Sequence, residues 1–355
     1  MIIREANPED NQALLDISRS EPMESAVLLY EDRSPDYFYL PRLQGDDSKV
    51  FIAERNKEVM GAISISFRKV RLFGTRQRIG YTGGLRIKES ARGGWVLYRL
   101  MRKVVEEMLK MNVSICILTA LKENQKILNV ISGRLNIPRF HPIAQFRVFH
   151  IIPFMKYRCI NHYQIERLSP SDLEEMVDLF RKQYSSYELV EEFNRERIER
   201  LIEQSKDFSL DNFLVAKLNG KIVSVLSYWD QSNFKKTIVQ KYRGFFKGLY
   251  YVLKPMGILP SQGNPLKVLS VRHLVCEEGY IDAARELLKH TMMLFRPRFK
   301  LFQVGLHDKT HLIRALRRFP RIGLHVVLFA ACKEENPTLI ERLQKSLIWE
   351  DMTLH

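Results

Sequence analysis

Residues 85–101 read LRIKESARGGWVLYRLM: a strand-like run, an Arg-Gly-Gly turn, then apolar residues at helical spacing. That order makes a place for phosphate. Backbone amides at a helix N-terminus point outward unpaired and carry the positive end of the helix dipole. Gly93 and Gly94 let the backbone come close to an anion. Arg86, Lys88 and Arg92 add positive charge, offset in part by Glu89. The alternative for the same residues is a glycine turn that packs helix on strand, with Trp95 capping the core.

Few other residues offer chemistry. His273, in SVRHLVC, is the candidate functional histidine and Cys276 the candidate nucleophile, each set against a plain core position on an apolar strand. The four cysteines (Cys116, Cys159, Cys276, Cys332) contain no C-x-x-C. Three sit in apolar strand-like runs, which reads as buried free thiols and no metal site. A turn comparable to 92–94 recurs in the second half as LVCEEGYIDAAREL. There Glu277, Glu278 and Asp282 surround the helix start. Carboxylates at that end satisfy the dipole and repel phosphate, so one anion site is expected and not two.

The elements that must position these groups occur twice. Each half opens with an extended segment, a polar cap and an amphipathic helix: IIREANPEDNQALLDISR from Ile2 and YQIERLSPSDLEEMVDLFR from Tyr163. Pro8 and Pro170 stand at the helix starts, followed by acids. A hairpin comes next, VFIAERNKEVMGAISISF (50–67) and NFLVAKLNGKIVSVLSYW (212–229), turning at Asn56-Lys57 and Asn219-Gly220. Third strands YTGGLRIK and LKVLSVRHLV precede helices over 94–110 and 280–294. Strands VSICILTAL and KLFQVGL come after them, and each half closes with a helix and a strand. The order predicts a mixed α/β (α+β) chain of two similar domains with central mixed sheets. The first covers residues 1–157, the second 162–333, and 334–355 form a tail helix.

Hairpin, strand, Arg-Gly turn and helix in this order resemble the GNAT N-acetyltransferase superfamily. Because the order repeats, the chain resembles its tandem members, the plan of mycothiol synthase and N-myristoyltransferase. More closely it resembles bacterial tandem GNAT-like proteins that carry tracts like ENQKILNVISGRLNIPRF and YWDQSNFKKTIVQKY. The resemblance implies a cofactor site for acetyl-CoA or another acyl-CoA in the first domain. The superfamily's pyrophosphate motif, Arg/Gln-x-x-Gly-x-Gly/Ala, lies on residues 92–97. Arg92 and Val96 fit it, the glycines Gly93 and Gly94 come one residue early, and Trp95 and Leu97 stand where small residues are usual. Backbone at Leu85, Arg86 and Ile87 is implied to serve the thioester carbonyl. Asn124 matches an asparagine that contacts the cofactor, with a helix cap as its alternative. Ile131 stands where the superfamily has a tyrosine acid, so no catalytic residue is assigned.

The function that the resemblance implies is N-acyl transfer from acyl-CoA to an amine acceptor held between the domains. The rival expectations are a GNAT-fold binding or sensing module without activity, and a peripheral membrane acyltransferase. The last rests on charge. The net charge is +15, and residues 231–272 hold eight Lys or Arg and no acid. Within them the insertion at 240–265 interleaves Tyr242, Phe245, Phe246, Tyr250 and Tyr251 with Lys241, Arg243, Lys247 and Lys254. Three uses compete for it: packing against the first domain, an apolar lid on a pocket, or a basic amphipathic helix on an anionic membrane. The first two predict buried aromatics. No nucleic-acid motif accompanies the charge, so nucleic acid is not an expected partner. With no apolar signal core and no run of about 18 apolar residues, the expected location is the cytoplasm.

Overall fold

The computed structural model describes residues 1–20, 27–92, 95–133, 137–154, 157–158, 162–255, 257–334 and 336–355. The first half runs β1 (Ile2–Glu5), α1 (Asn11–Ser20), β2 (Val27–Asp32), α2 (Tyr39–Leu43), β3 (Asp47–Arg55), β4 (Glu58–Leu72), β5 (Thr75–Ile87), α3 (Trp95–Lys110), β6 (Ile115–Leu121), α4 (Gln125–Val130) and β7 (His141–Ile151). The second begins with β8 (Gln164–Arg167), α5 (Leu173–Tyr184), β9 (Tyr187–Glu188), α6 (Arg195–Gln204), β10 (Phe213–Leu218), β11 (Lys221–Trp229), β12 (Lys236–Tyr242) and α7 (Phe245–Leu253). It ends with β13 (Val268–Cys276), α8 (Ile281–Phe295), β14 (Leu301–His307), β15 (Arg321–Cys332), α9 (Pro337–Lys345) and β16 (Leu347–Ile348).

Local chemistry explains the starts and turns. Asn7 caps the 3-10 turn Pro8–Asp10 that leads into α1: its side chain accepts from the Glu9 amide while the Asp10 carboxylate accepts from the Asn7 amide. Both hairpins turn on two residues with positive φ, Asn56 and Lys57 in one, Asn219 and Gly220 in the other. The helix expected after β14 is instead a 3-10 turn, His311–Leu316.

Twelve of the described strands form one sheet in the order β1-β3-β4-β5-β6-β15-β7-β14-β13-β11-β10-β8. The two halves are therefore joined at the centre by an exchange. Strand β15 of the second half pairs with β6 of the first. The last strand of the first half, β7, pairs with β14 of the second. The two exchanged strands pair with each other. Two further devices cross the join. Strands β2 and β12 make a separate antiparallel ribbon. The β4–β5 hairpin reaches across so that the Arg71 guanidinium donates to the carbonyls of Tyr184, Ser185 and Tyr187, closing the C-terminus of α5. Helix α3 packs on the first half's sheet through Val96, Leu100, Met101 and Val104, and α8 packs on the second through Ala283, Ala284, Leu287 and Leu288.

The basic aromatic insertion divides its rings. Tyr242 and Leu253 are buried, Tyr250 stacks on Tyr242 at 4.7 Å, but Tyr251 is 67% exposed. The reason is the narrow inner face of α7, where Leu249 and Leu253 pack on Ile152 and Leu301 and leave the outer turn uncovered. Wholesale burial of the aromatics is thus not what the fold does.

Candidate active site

Strands β5 and β6 are parallel neighbours, but they pair only at Gly80 with Cys116 and Tyr81 with Ile117. Beyond those residues they part. From there β6 continues against β15 and β5 against β4, so a cleft opens in the middle of the sheet. On the β5 side Ile63 of β4 faces two residues, Gly84 and Leu85, which is a bulge. Gly84 sits at φ +64°, where glycine carries no strain.

The expected cofactor residues lie along this edge. Leu85, Arg86 and Ile87 are half-buried on β5 just past the bulge. Next comes a 3-10 turn, Glu89–Ala91, and Arg92, whose guanidinium lies 3.7 Å from Glu89. Gly93 and Gly94 lie outside the described residues. Helix α3 begins at Trp95, which is 71% exposed and meets Tyr98 edge-on, so it does not cap the core. Val96 is buried against Gly61 and belongs to the core. Asn124 caps α4, accepting from the Ile127 amide at 3.3 Å. Ile131 is buried in the core. A shallow, open depression lined by Ser20, Lys88, Glu89 and Ser90 lies beside the turn between β5 and α3.

Sequence reasoning missed the other wall. Past Asp32 the chain brings Arg33 and Tyr37 to the bulge: the Tyr37 hydroxyl donates to the Gly84 carbonyl at 3.4 Å. Arg33 is buried with its Nη2 3.0 Å from the Glu31 carboxylate, and Lys235 lies 3.8 Å from the same group. Burial pushes the Glu31 carboxyl up, but Arg33, Lys235 and Arg86 outweigh it and hold it at about 2.

The C-terminal residues lie in the same space. After α9 the chain turns inward and buries residues 348–354. Carbonyls of this segment are held from both halves: Gln44 donates to that of Leu354, Gln231 and Lys235 to that of Thr353, and Lys235 to that of His355. Two buried ion pairs anchor it. Glu350 pairs with Arg68 of β4, and Asp351 with Arg272 of β13 at 2.8 Å. Burial raises the Asp351 carboxyl, but Arg272 and the Thr353 hydrogen bonds outweigh that and hold it at about 2. His355 Nδ1 lies 2.7 Å from the Tyr81 hydroxyl, which is 3.0 Å from Thr119 Oγ1 on β6; its Nε2 lies 2.9 Å from Glu350. The available signal was the apolar run Leu347, Ile348 and Trp349 after a polar helix, which marks a docking tail.

The comparable cleft of the second half is filled. Strands β13 and β14 pair as far as Val271 and Val304, and the next residues, Arg272 and Gly305, both meet the C-terminal segment. At the start of α8, Glu277 pairs with Lys182 and Lys221, and Asp282 accepts from the Tyr163 hydroxyl. His273 is a core residue: Nδ1 lies 2.7 Å from Ser227 Oγ, and burial pushes its pKa down to about 3. Cys276 is buried, and burial raises its thiol to about 12, far from a thiolate. Cys116 is likewise buried, and Cys159 lies outside the described residues.

A family model for the GNAT acetyltransferases matches residues 12–131. No curated protein matches the chain. Solved structures do. N-myristoyltransferase of Saccharomyces cerevisiae with bound myristoyl-CoA is similar at a TM-score of 0.62 and 12% identity, over 93% of this chain and 82% of that one. A protein from Enterococcus faecalis described as a probable N-acyltransferase is similar at 0.53 and 10%, over 94% and 73%. A GCN5-related N-acetyltransferase from Anabaena variabilis is similar at 0.53 and 12%, over 94% and 73%. Likeness at such identities carries the fold.

Proposed function

The chain is a tandem GNAT-like protein in fold, and from that premise we propose that it moves an acyl group from a coenzyme A thioester to an amine held between its halves. The parting of β5 and β6 beyond Tyr81 and Ile117, next to the turn into α3, carries this reading. Acyl transfer depends on donors fixed toward the oxygen that gains charge. The bulge takes Gly84 and Leu85 out of the β4 ladder, which suits the Leu85 amide to that role, with Arg86 and Ile87 beside it back in register with Ala62 and Gly61. Lys88, Ser90, Arg92 and the N-terminus of α3, with Gly93 and Gly94, suit the pyrophosphate. Asn124 uses its Oδ1 as a cap, leaving its Nδ2 for the cofactor. The Tyr81–Thr119 hydrogen bond closes the floor of the cleft, which supports a short acyl group, and acetyl-CoA is the thioester proposed. The acceptor side is walled by Glu31, Arg33, Tyr37 and the C-terminal segment, and the proposed setting is the cytoplasm.

Calorimetric titration with acetyl-CoA, octanoyl-CoA and myristoyl-CoA tests the reading. The expected result is saturation at about one thioester per chain, because the second cleft is filled and acids surround its helix start. Thiol release across a panel of amines then identifies the acceptor class. No binding of any thioester, or two sites per chain, overturns the assignment.

A second reading adds a membrane surface at α7, favoured by the exposure of Tyr251 and Val252 between Lys247 and Lys254. Such a face gains from apolar insertion and from attraction to anionic headgroups. The protein is then expected to sediment with phosphatidylserine vesicles at low salt, and the Lys247→Glu, Lys254→Glu double variant to stay in solution. Equal sedimentation of both proteins removes the reading.

A further inference from the structure

At the floor of the β5–β6 cleft four groups stand in a row: Tyr81, His355, Glu350 and Arg68, all buried but His355, which is partly so. Tyr81 is at the last paired position before the strands part, and its hydroxyl, bonded to Thr119 of β6, closes the floor of the space assigned above to the thioester. Its place is kept by a glycine. A Cβ at Gly83 would lie 2.9 Å from the Tyr81 ring and 3.1 Å from its hydroxyl, so no other residue at 83 leaves the ring where it is. On the far side His355 packs on the same ring, with centroids 4.7 Å apart.

The hydrogen bonds have a fixed direction. Glu350 is held ionised by Arg68 and His355 despite burial, so it only accepts. The hydrogen of a neutral His355 must therefore sit on Nε2 and point to Glu350. Nδ1 is left as an acceptor, and the Tyr81 phenol, which burial keeps protonated, donates to it. A hydroxyl donating to an imidazole that is oriented by a carboxylate is the arrangement that lets a weak acid trade protons.

We propose that Tyr81 is the catalytic proton carrier of the acyl transfer and that His355 and Glu350 act through it as positioning residues. This rests on the acyltransferase reading. As the amine nitrogen forms its bond to the acyl carbon, an N–H proton passes to the Tyr81 oxygen while the Tyr81 proton passes to His355 Nδ1. The resulting imidazolium is stabilised by Glu350, whose charge Arg68 balances. As the carbon–sulfur bond breaks, Tyr81 gives a proton to the leaving sulfur and is refilled from His355 Nδ1. The amine has lost one proton, the thiol has gained one, and the three residues return to their starting state. No outside acid or base is consumed. The relay supplies both proton transfers that Ile131, buried in the core, has no group to perform.

Tyr81→Phe removes only the hydroxyl. Thiol release from acetyl-CoA, with the best amine of the panel or with water as acceptor, is expected to fall on the order of a hundredfold. Acetyl-CoA affinity should stay near the wild-type value. His355→Ala is expected to lose a similar factor and to regain about tenfold when free imidazole is added, which a merely structural histidine would not show. Nitrogen NMR of the wild-type protein should report His355 with hydrogen on Nε2 and an acceptor at Nδ1. Full turnover in Tyr81→Phe with intact binding overturns the relay alone, as does the opposite tautomer or a His355→Ala variant that imidazole leaves unchanged. Absence of any acyl-CoA binding by the wild type overturns both the relay and the acyltransferase reading.

Discussion

Glu350→Ala should destabilise the protein by about 3–5 kcal/mol, the usual cost of removing one partner from a buried ion pair. Arg68 is 3% exposed, and its Nε has no hydrogen-bond partner among the described residues, so its charge rests chiefly on the ion pair with Glu350. Alanine would leave that guanidinium buried with only Glu191, itself paired with Arg197, as a counter-charge, and His355 without its acceptor. Glu350→Gln keeps the shape and an acceptor oxygen, and should lose less. The double change Arg68→Met, Glu350→Leu removes both charges and should recover most of the loss, since apolar pairs of similar volume replace buried ion pairs at little cost. Urea unfolding of the four proteins at neutral pH measures these differences. A loss below about 1 kcal/mol in Glu350→Ala, the size of an exposed pair, would show that water reaches Arg68 and that the segment is not held as described.

The parts of the fold legible in the sequence were those written in local chemistry. Asn-Gly and Asn-Lys turns, proline at helix starts and apolar periodicity are short-range signals, and they placed both hairpins and helices α1, α3, α5 and α8. The exchange of β7 and β15 was not legible. A strand's alternation says which face is buried and nothing about which edge it will join, so FRVFHII and LHVVLFAAC read as closing strands of their own halves. Contact between the halves was hidden for the same reason: β2 and β12 pair across the join without a turn to announce them.

The site divides along the same line. The β5 edge, the turn at Arg92 and the start of α3 are contiguous in sequence, and their order was readable. The Tyr81–His355 contact spans 274 residues and the Arg68–Glu350 pair spans 282. Each of those residues is ordinary where it stands: a tyrosine on a strand, an arginine in a hairpin, an acid and a histidine in a tail. Only the inward turn of residues 346–355 gives them a common function. The candidates that looked reactive in isolation, His273 and Cys276, were drawn into the core, where burial suppresses their charged forms.

Gly305→Ala is expected to release that C-terminal segment while leaving the sheet in place. A Cβ on Gly305 would stand 2.2 Å from the Cβ of Met352. No rotamer change relieves a contact between two Cβ atoms, so backbone must move. Gly305 lies in β14, paired with Val148 of the long central strand β7, whereas Met352 belongs to a short turn. The turn is the part that yields. With it go the buried faces of Met352 and Leu354, each side chain contributing about 1.5–3 kcal/mol, and the Arg272–Asp351 and Arg68–Glu350 pairs. Tyr81 loses His355, so thiol release from acetyl-CoA should fall as far as in Tyr81→Phe, although no residue of the first cleft has been changed. Acetyl-CoA binding to the first half should survive, because the β5 edge, Arg92 and α3 are untouched. Hydrogen exchange gives the direct measurement: amides of residues 349–355 should lose protection while those of β6, β14 and β15 keep theirs. Undiminished protection of 349–355 in Gly305→Ala, with a melting temperature within about 2 °C of wild type, would show that the sheet accommodates the methyl group. The close packing of Met352 on β14 would then not be what holds His355 against Tyr81.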